Sequence, residues 1–122
     1  MRVLLVEPDR VLGQTAKSAL ESLGCEVAWN KTAQSALDSM DDSIPDLIVL
    51  EIQLGTHNGV ELLYELASYS EWQNIPIIIH TINEKVQREE FSDALNQLKV
   101  RQVLYKPATT TASLVNVVKQ FA

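Results

Sequence analysis

Cysteine is nearly absent from this chain of 122 residues, and its scarcity excludes two kinds of stabilisation. The single cysteine, Cys25, has no partner for an internal disulfide and cannot build a multi-cysteine metal site. We expect Cys25 to be a small, half-buried residue between a helix and a strand, and not a redox switch.

Long apolar runs and excess positive charge are also missing. No run approaches the roughly 20 residues that a membrane-spanning helix needs, and the N-terminal MRVLLVEPD is too short for a signal peptide. Sixteen acidic residues against ten basic ones give a net charge of −6. An acidic surface argues against direct binding to nucleic acid or to an anionic membrane. We therefore expect a soluble, cytoplasmic protein.

The composition that remains is that of a globular protein. Hydrophobic residues make up 46% of the chain and charged residues 21%, which argues against disorder. The length suffices for one hydrophobic core but not for two. The sequence therefore predicts a single domain over residues 1–122.

Five short segments rich in valine, isoleucine and leucine predict β-strands. They lack strict alternation of apolar and polar residues, which is typical of strands buried on both faces of a parallel sheet. The predicted strands are Arg2–Val6, Glu26–Trp29, Asp46–Leu50, Pro76–His80 and Gln102–Tyr105.

Apolar residues at helical spacing fill the intervals between and after these strands. Gly24 predicts the stop of the first helix, and the threonines at 109–111 predict the N-cap of the last. Five β–α repeats predict a right-handed, doubly wound α/β domain. The five apolar stripes run from Leu12 to Leu23, Ala33 to Met40, Val60 to Ala67, Phe91 to Leu98 and Leu114 to Phe121.

Polar residues follow four of the predicted strands, at the sheet edge where doubly wound domains place their sites. Glu7 and Asp9 follow the first strand, and Glu51 follows the third. Thr81 follows the fourth strand, and Lys106 follows the fifth. Such a set could bind a hard cation through its carboxylates, or a phosphoryl group through its hydroxyl and its ammonium.

Four motifs, in the order LLVEPD, DLIVLEIQLGTHNG, IPIIIHT and VLYKP, carry a resemblance to a known family. From end to end, the chain resembles the receiver domain of response regulators, which act in bacterial two-component phosphorelay signalling. The family pattern is an acidic pair, a phosphoacceptor aspartate, a serine or threonine and a Lys-Pro pair. The resemblance implies a flavodoxin-like fold with strand order 2-1-3-4-5 and a signalling role without enzymatic activity.

Two departures from the family pattern fall on the metal and phosphoryl site. Glu7 matches the first acid, but Pro8 stands at the second and has no group that can ligate a metal. Glu51 stands at the phosphoacceptor position, where its extra methylene moves the carboxylate outward by roughly 1.5 Å. A displacement of about 1 Å can already cost about 100-fold in rate, and Mg²⁺ demands near-octahedral geometry. We expect weak or absent Mg²⁺ binding and no catalytic residue.

Some of the other family positions are kept in this chain, and some are replaced. Val103 stands at the position of the switch aromatic, and Lys99-Val100 replace a small Gly-Ala pair. The resemblance implies a cis peptide bond before Pro107, and we expect Gly59 to serve a backbone need at the start of the third helix. The family residues that are kept are Gly59, Thr81, Lys106 and Pro107.

Three interpretations of Glu51 fit the sequence. Its carboxylate stands in for a phosphorylated aspartate and engages Lys106 and Thr81, or it is a relic that drifted after phosphorylation was lost, or it was introduced by engineering. Asp9 could replace the missing ligand, although it is also a good residue to start a helix.

Three alternative functions are compatible with the sequence. The first is a pseudo-receiver that binds a protein independently of phosphorylation. The second is a receiver still regulated by phosphoryl transfer or metal at an unusual site. The third is an α/β enzyme or nucleotide-binding domain, which the absence of G-x-G-x-x-G, of G-K-[ST] and of a nucleophile–base pair disfavours.

The resemblance also implies a docking face and, through it, a protein partner or a homodimer. Receivers often dock through the fourth helix, fifth strand and fifth helix, where Val103 and Tyr105 lie. The charge-rich segment 83–91 is a solvated helix start or part of that face. We expect His57 and His80 to be a loop residue and a strand-end residue, and not metal ligands.

Overall fold

A five-stranded parallel sheet forms the centre of the protein. The computed structural model describes residues 1–54, 57–83 and 95–122. Every neighbouring pair of strands in the sheet is parallel, and the order is β2-β1-β3-β4-β5. The prediction of a flavodoxin-like fold with strand order 2-1-3-4-5 is therefore confirmed. The strands are β1 (Arg2–Val6), β2 (Glu26–Asn30), β3 (Leu47–Leu50), β4 (Ile77–Thr81) and β5 (Val100–Tyr105).

Four helices lie between or after the strands in the described ranges, and three of them begin at a side-chain cap. They are α1 (Arg10–Ser22), α2 (Ala33–Asp42), α3 (Gly59–Ser68) and a C-terminal helix (Thr111–Lys119). The side chains of Asp9, Thr32 and Thr110 each accept a hydrogen bond from a backbone N–H of the first turn, which satisfies one of the free donors at each helix start. Gly24 ends the α1 region with a φ of +91°, a conformation that favours glycine.

The core lies on both faces of the sheet. Residues of β1, β3 and β4 alternate between the two faces, so each strand contributes to both hydrophobic clusters. Leu63 and Met40 cover one face from α3 and α2, and Leu20 and Leu114 cover the other from α1 and the C-terminal helix. All four residues of β3 are buried, which confirms that the apolar run belongs to a strand covered on both faces.

The region before the last strand departs from the prediction. β5 begins at Val100, two residues earlier than expected, because its pairing with β4 contains an irregularity: Val100 pairs with Ile77, but Gln102 pairs with Ile78. Lys99, just before the strand, has a φ of +65°. Of the predicted fourth stripe, Leu95 and Leu98 are buried in the core, whereas Phe91 and Ala94 lie outside the described residues.

Cys25 is a free, half-buried thiol that packs against the cluster of α1 and the C-terminal helix. Within residues 1–54, 57–83 and 95–122, none of the helices has the length and apolar character to cross a membrane.

Candidate functional site

Glu51 lies at the centre of a buried polar cluster at the carboxyl edge of the sheet. It follows β3 directly, and its N–H donates to the carbonyl of Val6 on β1 at 2.9 Å, so the backbone holds it at the sheet edge. Only 3% of the residue is exposed. A charge at this depth requires partners, because burial of an unpaired carboxylate is costly.

Four donors surround the Glu51 carboxylate. Its Oε1 accepts from Lys106 Nζ at 2.8 Å and from the Ile82 N–H at 3.0 Å. Its Oε2 accepts from the Gln53 N–H at 3.0 Å and from the Thr81 hydroxyl. This arrangement satisfies the ionised carboxylate from both sides and fixes its position.

The Lys106 ammonium lies between two carboxylates. Its Nζ is 2.5 Å from Glu7 Oε1 and 2.8 Å from Glu51 Oε1. The three side chains are 8%, 5% and 2% exposed, in the order Lys106, Glu7 and Glu51. The lysine therefore supplies the positive charge that two neighbouring buried acids require.

Glu7 has fewer donors than Glu51. Besides Lys106, its carboxylate accepts the N–H of Asp9 at 3.1 Å, and its backbone carbonyl accepts the indole N–H of Trp29 at 3.0 Å. The carboxylate of Asp9 does not join the cluster, because it accepts the Leu12 N–H and caps α1. Pro8 contributes no polar side chain between them.

The two glutamates differ in the direction of their pKa shifts. Burial raises the pKa of Glu7 above its usual value of 4.5, and its hydrogen bonds to Lys106 and Asp9 offset this only in part. Burial acts on Glu51 in the same direction, but the donors from Lys106, Thr81, Gln53 and Ile82 outweigh it and lower the pKa. Glu51 is therefore the stronger acid of the pair.

Thr81 and His80 end β4 beside this cluster. The Thr81 hydroxyl donates to Glu51 and accepts the Asn83 N–H at 3.1 Å, and the residue is fully buried. Burial and the neighbouring Lys106 charge lower the pKa of His80 to about 4, against the effect of Glu51. In the parts of the chain that the structure describes, no group of three histidine, cysteine, aspartate or glutamate residues could hold a metal ion.

Gly59 closes the loop that follows Glu51. Its N–H donates to the Ile52 carbonyl at 2.6 Å, and a Cβ at this position would lie 2.5 Å from the Ile52 Cα. Only glycine permits this close approach of two backbone segments. The contact holds residues 52–53 against α3, and this places the Gln53 N–H on the carboxylate.

The prediction of a cis bond before Pro107 is wrong. No peptide bond among the described residues is cis, and Lys106–Ala108 form a short 3₁₀ turn closed by a hydrogen bond from the Thr109 N–H to the Lys106 carbonyl at 3.0 Å. A trans proline fits the beginning of such a turn, since its fixed φ is helical and its missing N–H is not required there.

Val103 and Tyr105 of β5 form no hydrogen bond or ion pair with Glu7 or Glu51 among the described residues. Val103 is half-buried and packs against the core on the α2 and α3 face. Tyr105 is half-buried and pairs in register with Thr81. The prediction that His57 is a loop residue is wrong, because His57–Asn58 form a short strand that pairs antiparallel with Gln53–Leu54. The His57 side chain lies outside the described part of the chain.

Sequence reasoning missed the backbone donors and Trp29. The N–H groups of Asp9, Gln53 and Ile82 bind the two carboxylates, and a backbone donor leaves no signal in residue type. Trp29 ends the second predicted strand, next to the site edge. An aromatic residue at that position was the one available signal.

Comparison with known proteins shows the family. The family model of the response regulator receiver domain matches residues 3–119, so the chain belongs to the response regulator receiver family. The chain is also similar to a solved CheY-like receiver domain from Methanospirillum hungatei, with a TM-score of 0.84, 24% identity and coverage of 98% of this chain and 90% of that chain.

Two curated relatives illustrate how the domain is used elsewhere. The swarming motility regulation protein RssB of Serratia marcescens is 33% identical over 87 residues, which are 71% of this chain and 39% of that protein. The aerobic respiration control sensor protein ArcB of Escherichia coli is 30% identical over 122 residues, 99% of this chain and 15% of that protein. The chain thus spans less than half the length of these relatives.

Proposed function

We propose that this receiver is a pseudo-receiver, a module that binds a protein partner independently of phosphorylation and is not an enzyme. One observation carries the proposal. The Thr81 hydroxyl and the Lys106 ammonium, which the family resemblance assigns to the phosphoryl group, both bind the Glu51 carboxylate. In this view Glu51 is a permanent stand-in for a phosphorylated aspartate, and the protein holds one signalling state.

The surroundings of Lys106 argue against a receiver that still depends on Mg²⁺. The ammonium lies within 2.8 Å of both glutamates, so it competes with a divalent cation for the same oxygens. Pro8 supplies no ligand, and Mg²⁺ tolerates poor geometry badly. The proposal therefore includes weak or absent Mg²⁺ binding.

The partner of the proposed module is a protein, bound at the face that includes β5 and the C-terminal helix. Val103 and Tyr105 of β5 are half-buried there and leave side-chain surface for contact. The predicted fourth helix of this face falls largely on residues 84–94, outside the described residues. A homodimer through the same face, the absence of direct nucleic-acid or membrane binding, and a cytoplasmic location remain predictions.

Phosphorylation by a small donor tests the proposal directly. The wild-type protein, Glu51→Asp and the double variant Pro8→Asp/Glu51→Asp are incubated with phosphoramidate and Mg²⁺, and covalent phosphate is detected by intact mass. We expect no adduct on the wild type or on Glu51→Asp. We expect an adduct on the double variant, which restores both carboxylates that the family pattern contains.

The double variant also serves as the control for folding and for the assay. An adduct on the wild-type chain would overturn the proposal. An adduct on Glu51→Asp alone would mean that only Glu51 prevents phosphorylation. The missing metal ligand at Pro8 would then not matter. To separate a stand-in from drift, Glu51→Gln is compared with wild type by amide NMR: shifts that spread along β5 support the stand-in, and shifts confined to the cluster support drift.

A further inference from the structure

A cleft lies outside the carboxylate cluster, between α1 and the end of β2. Its volume is about 390 Å³, within the range of about 300–1,000 Å³ typical of small-molecule sites. The cleft is lined by Arg10, Val11, Gln14, Thr15, Trp29 and Lys31.

A rigid aromatic ring forms one wall of this cleft. The Trp29 indole lies against α1 at Gly13, where a Cβ would be 2.1 Å from the ring carbon Cζ2, so that only glycine leaves room for the ring. Its Nε1 donates to the Glu7 carbonyl at 3.0 Å. The indole is thereby held by both its N–H and its ring, and it loses little freedom when a ligand binds.

The cleft is positively charged in an acidic protein. Arg10 and Lys31 line it, and no acidic residue does, although the net charge of the chain is −6. Neither cation forms an ion pair with any residue that the structure describes, so both are available to an anionic ligand. The Nζ of the exposed Lys31 lies over the Trp29 ring, 5.4 Å from its centre, so a ligand that stacks on this face meets the ammonium beside it.

Apolar surface completes the wall on the α1 side. Val11 is 73% exposed and lines the cleft, one turn of helix from Gln14 and Thr15 on the same side of α1. A ligand that contacts all of these groups needs a flat apolar body, a negative charge and a hydrogen-bonding group within reach of the Gln14 amide.

We propose that this cleft binds a planar organic anion, the chemical class that includes mononucleotides. The ring of the ligand stacks against Trp29 and Val11, and its anionic group binds Arg10 and Lys31. None of the lining residues contacts the Glu51 carboxylate, and Trp29 reaches the cluster only through the backbone carbonyl of Glu7. Ligand binding in this cleft therefore does not rest on the proposed pseudo-receiver function.

An NMR titration with three probes tests this assignment. AMP carries both ring and charge, adenosine carries only the ring, and inorganic phosphate carries only the charge. We expect AMP to shift the Trp29 indole N–H saturably, to leave that of Trp72 unchanged because this residue is 7% exposed in the core, and to bind about tenfold more tightly than either fragment.

Variants locate the charge contacts. Arg10→Gln and Lys31→Gln should each weaken AMP binding about tenfold, the equivalent of one charge-assisted hydrogen bond. Lys17→Gln is the matched control, since Lys17 lies on the same helix but pairs with Glu21 at 3.6 Å and does not line the cleft. Its affinity for AMP should equal that of the wild type.

Four outcomes would overturn the assignment. Equal shifts with inorganic phosphate and AMP would mean an adventitious ion only. No shift of the Trp29 indole N–H up to millimolar AMP would show that the cleft does not bind AMP. Unchanged affinity in Arg10→Gln and Lys31→Gln would show that AMP binds elsewhere. Saturable binding of an acidic, tyrosine-containing peptide without binding of AMP would assign the cleft to a protein partner instead.

Discussion

Glu7 and Glu51 share one ammonium but differ in how well the fold solvates their charge. Glu51 accepts from Lys106, a hydroxyl and two backbone N–H groups. Glu7 accepts from Lys106 and one backbone N–H, and the charge of Glu51 lies nearby. Donor number, and not burial, therefore decides which carboxylate the folded protein holds as an ion.

Neutralising each glutamate separately tests this asymmetry. Glu51→Gln should lower the free energy of unfolding at neutral pH by about 2 kcal/mol, because it removes a buried ion whose charge-assisted bonds are worth about 1.5–3 kcal/mol each. Glu7→Gln is the matched control and should cost at least about 1 kcal/mol less, since burial disfavours its charge. Urea unfolding measures both values.

The pH dependence of the two variants follows from the directions of the shifts. The contribution of Glu51 is present above its unfolded pKa, near 4.5, and is lost as the pH falls through its lower folded value, so the deficit of Glu51→Gln should shrink below pH 4.5. Glu7 acts in the opposite sense, because its folded pKa is raised. Equal deficits in both variants would contradict this account.

His80 should titrate far below an ordinary histidine. Its folded pKa is lowered to about 4 from 6.5, so the unfolded chain binds more protons between these values and stability falls as the pH falls from 6.5 toward 4. The chain has two histidines, so the variant His57→Gln leaves one imidazole to follow by NMR. A midpoint near 6.5 would show that burial and Lys106 do not act on His80 as described.

At the scale of elements, the entry into β5 is the part of the sheet that deviates from regular geometry. Lys99 has a left-handed φ of +65°, and the pairing of β5 with β4 shifts register immediately afterwards. A lysine in this conformation is strained because its Cβ crowds the following carbonyl. The family pattern has a small Gly-Ala pair in this region, and this chain has Lys99-Val100 instead.

Replacing Lys99 by glycine should relieve this strain. We expect Lys99→Gly to raise the free energy of unfolding by up to about 1 kcal/mol, because glycine adopts a positive φ without steric cost. Gln102→Gly is the control: glycine within β5 should cost about 0.5–1 kcal/mol. Thermal unfolding of both variants gives the values, and a destabilised Lys99→Gly would contradict the strain.

Most helices and strands could be predicted from apolar patterns. The errors fall where contacts with a neighbouring segment determine the local geometry. β1 and β3 could be predicted from their own apolar residues, because strands buried on both faces are apolar throughout and do not alternate. The start of β5 depends on pairing with β4, and the geometry at Pro107 depends on the turn that follows. Neither dependence is visible in local residue type.

At the scale of the whole molecule, the cluster exists because neighbouring strands end side by side. β1, β3, β4 and β5 are adjacent in the sheet and bring Glu7, Glu51, Thr81 and Lys106 to one edge. The side chains then satisfy one another, and no buried polar side-chain atom of the described residues lacks a hydrogen-bond partner. Such a closed network favours one state of the domain.

If the proposed pseudo-receiver function is right, the protein should not respond to the ligands that switch a receiver. We expect the amide NMR spectrum of the wild-type protein to show no saturable shift at Glu7, Glu51, Thr81 or Lys106 with Mg²⁺ up to millimolar concentration, or with Mg²⁺ and beryllofluoride. Pro8→Asp/Glu51→Asp is the responsive control. A localised, saturable shift in the wild type would mean that a metal or phosphoryl site survives with unusual ligands.

Strand periodicity and strand-end position are local properties of the chain, so the class of fold and the polar residues at the sheet edge could be predicted without a structure. How those residues share their charges depends on the tertiary fold. It placed Lys106 between two glutamates, used Asp9 as a cap and gave Glu51 two backbone donors. These outcomes depend on distances between segments remote in sequence, and a linear pattern does not contain such distances.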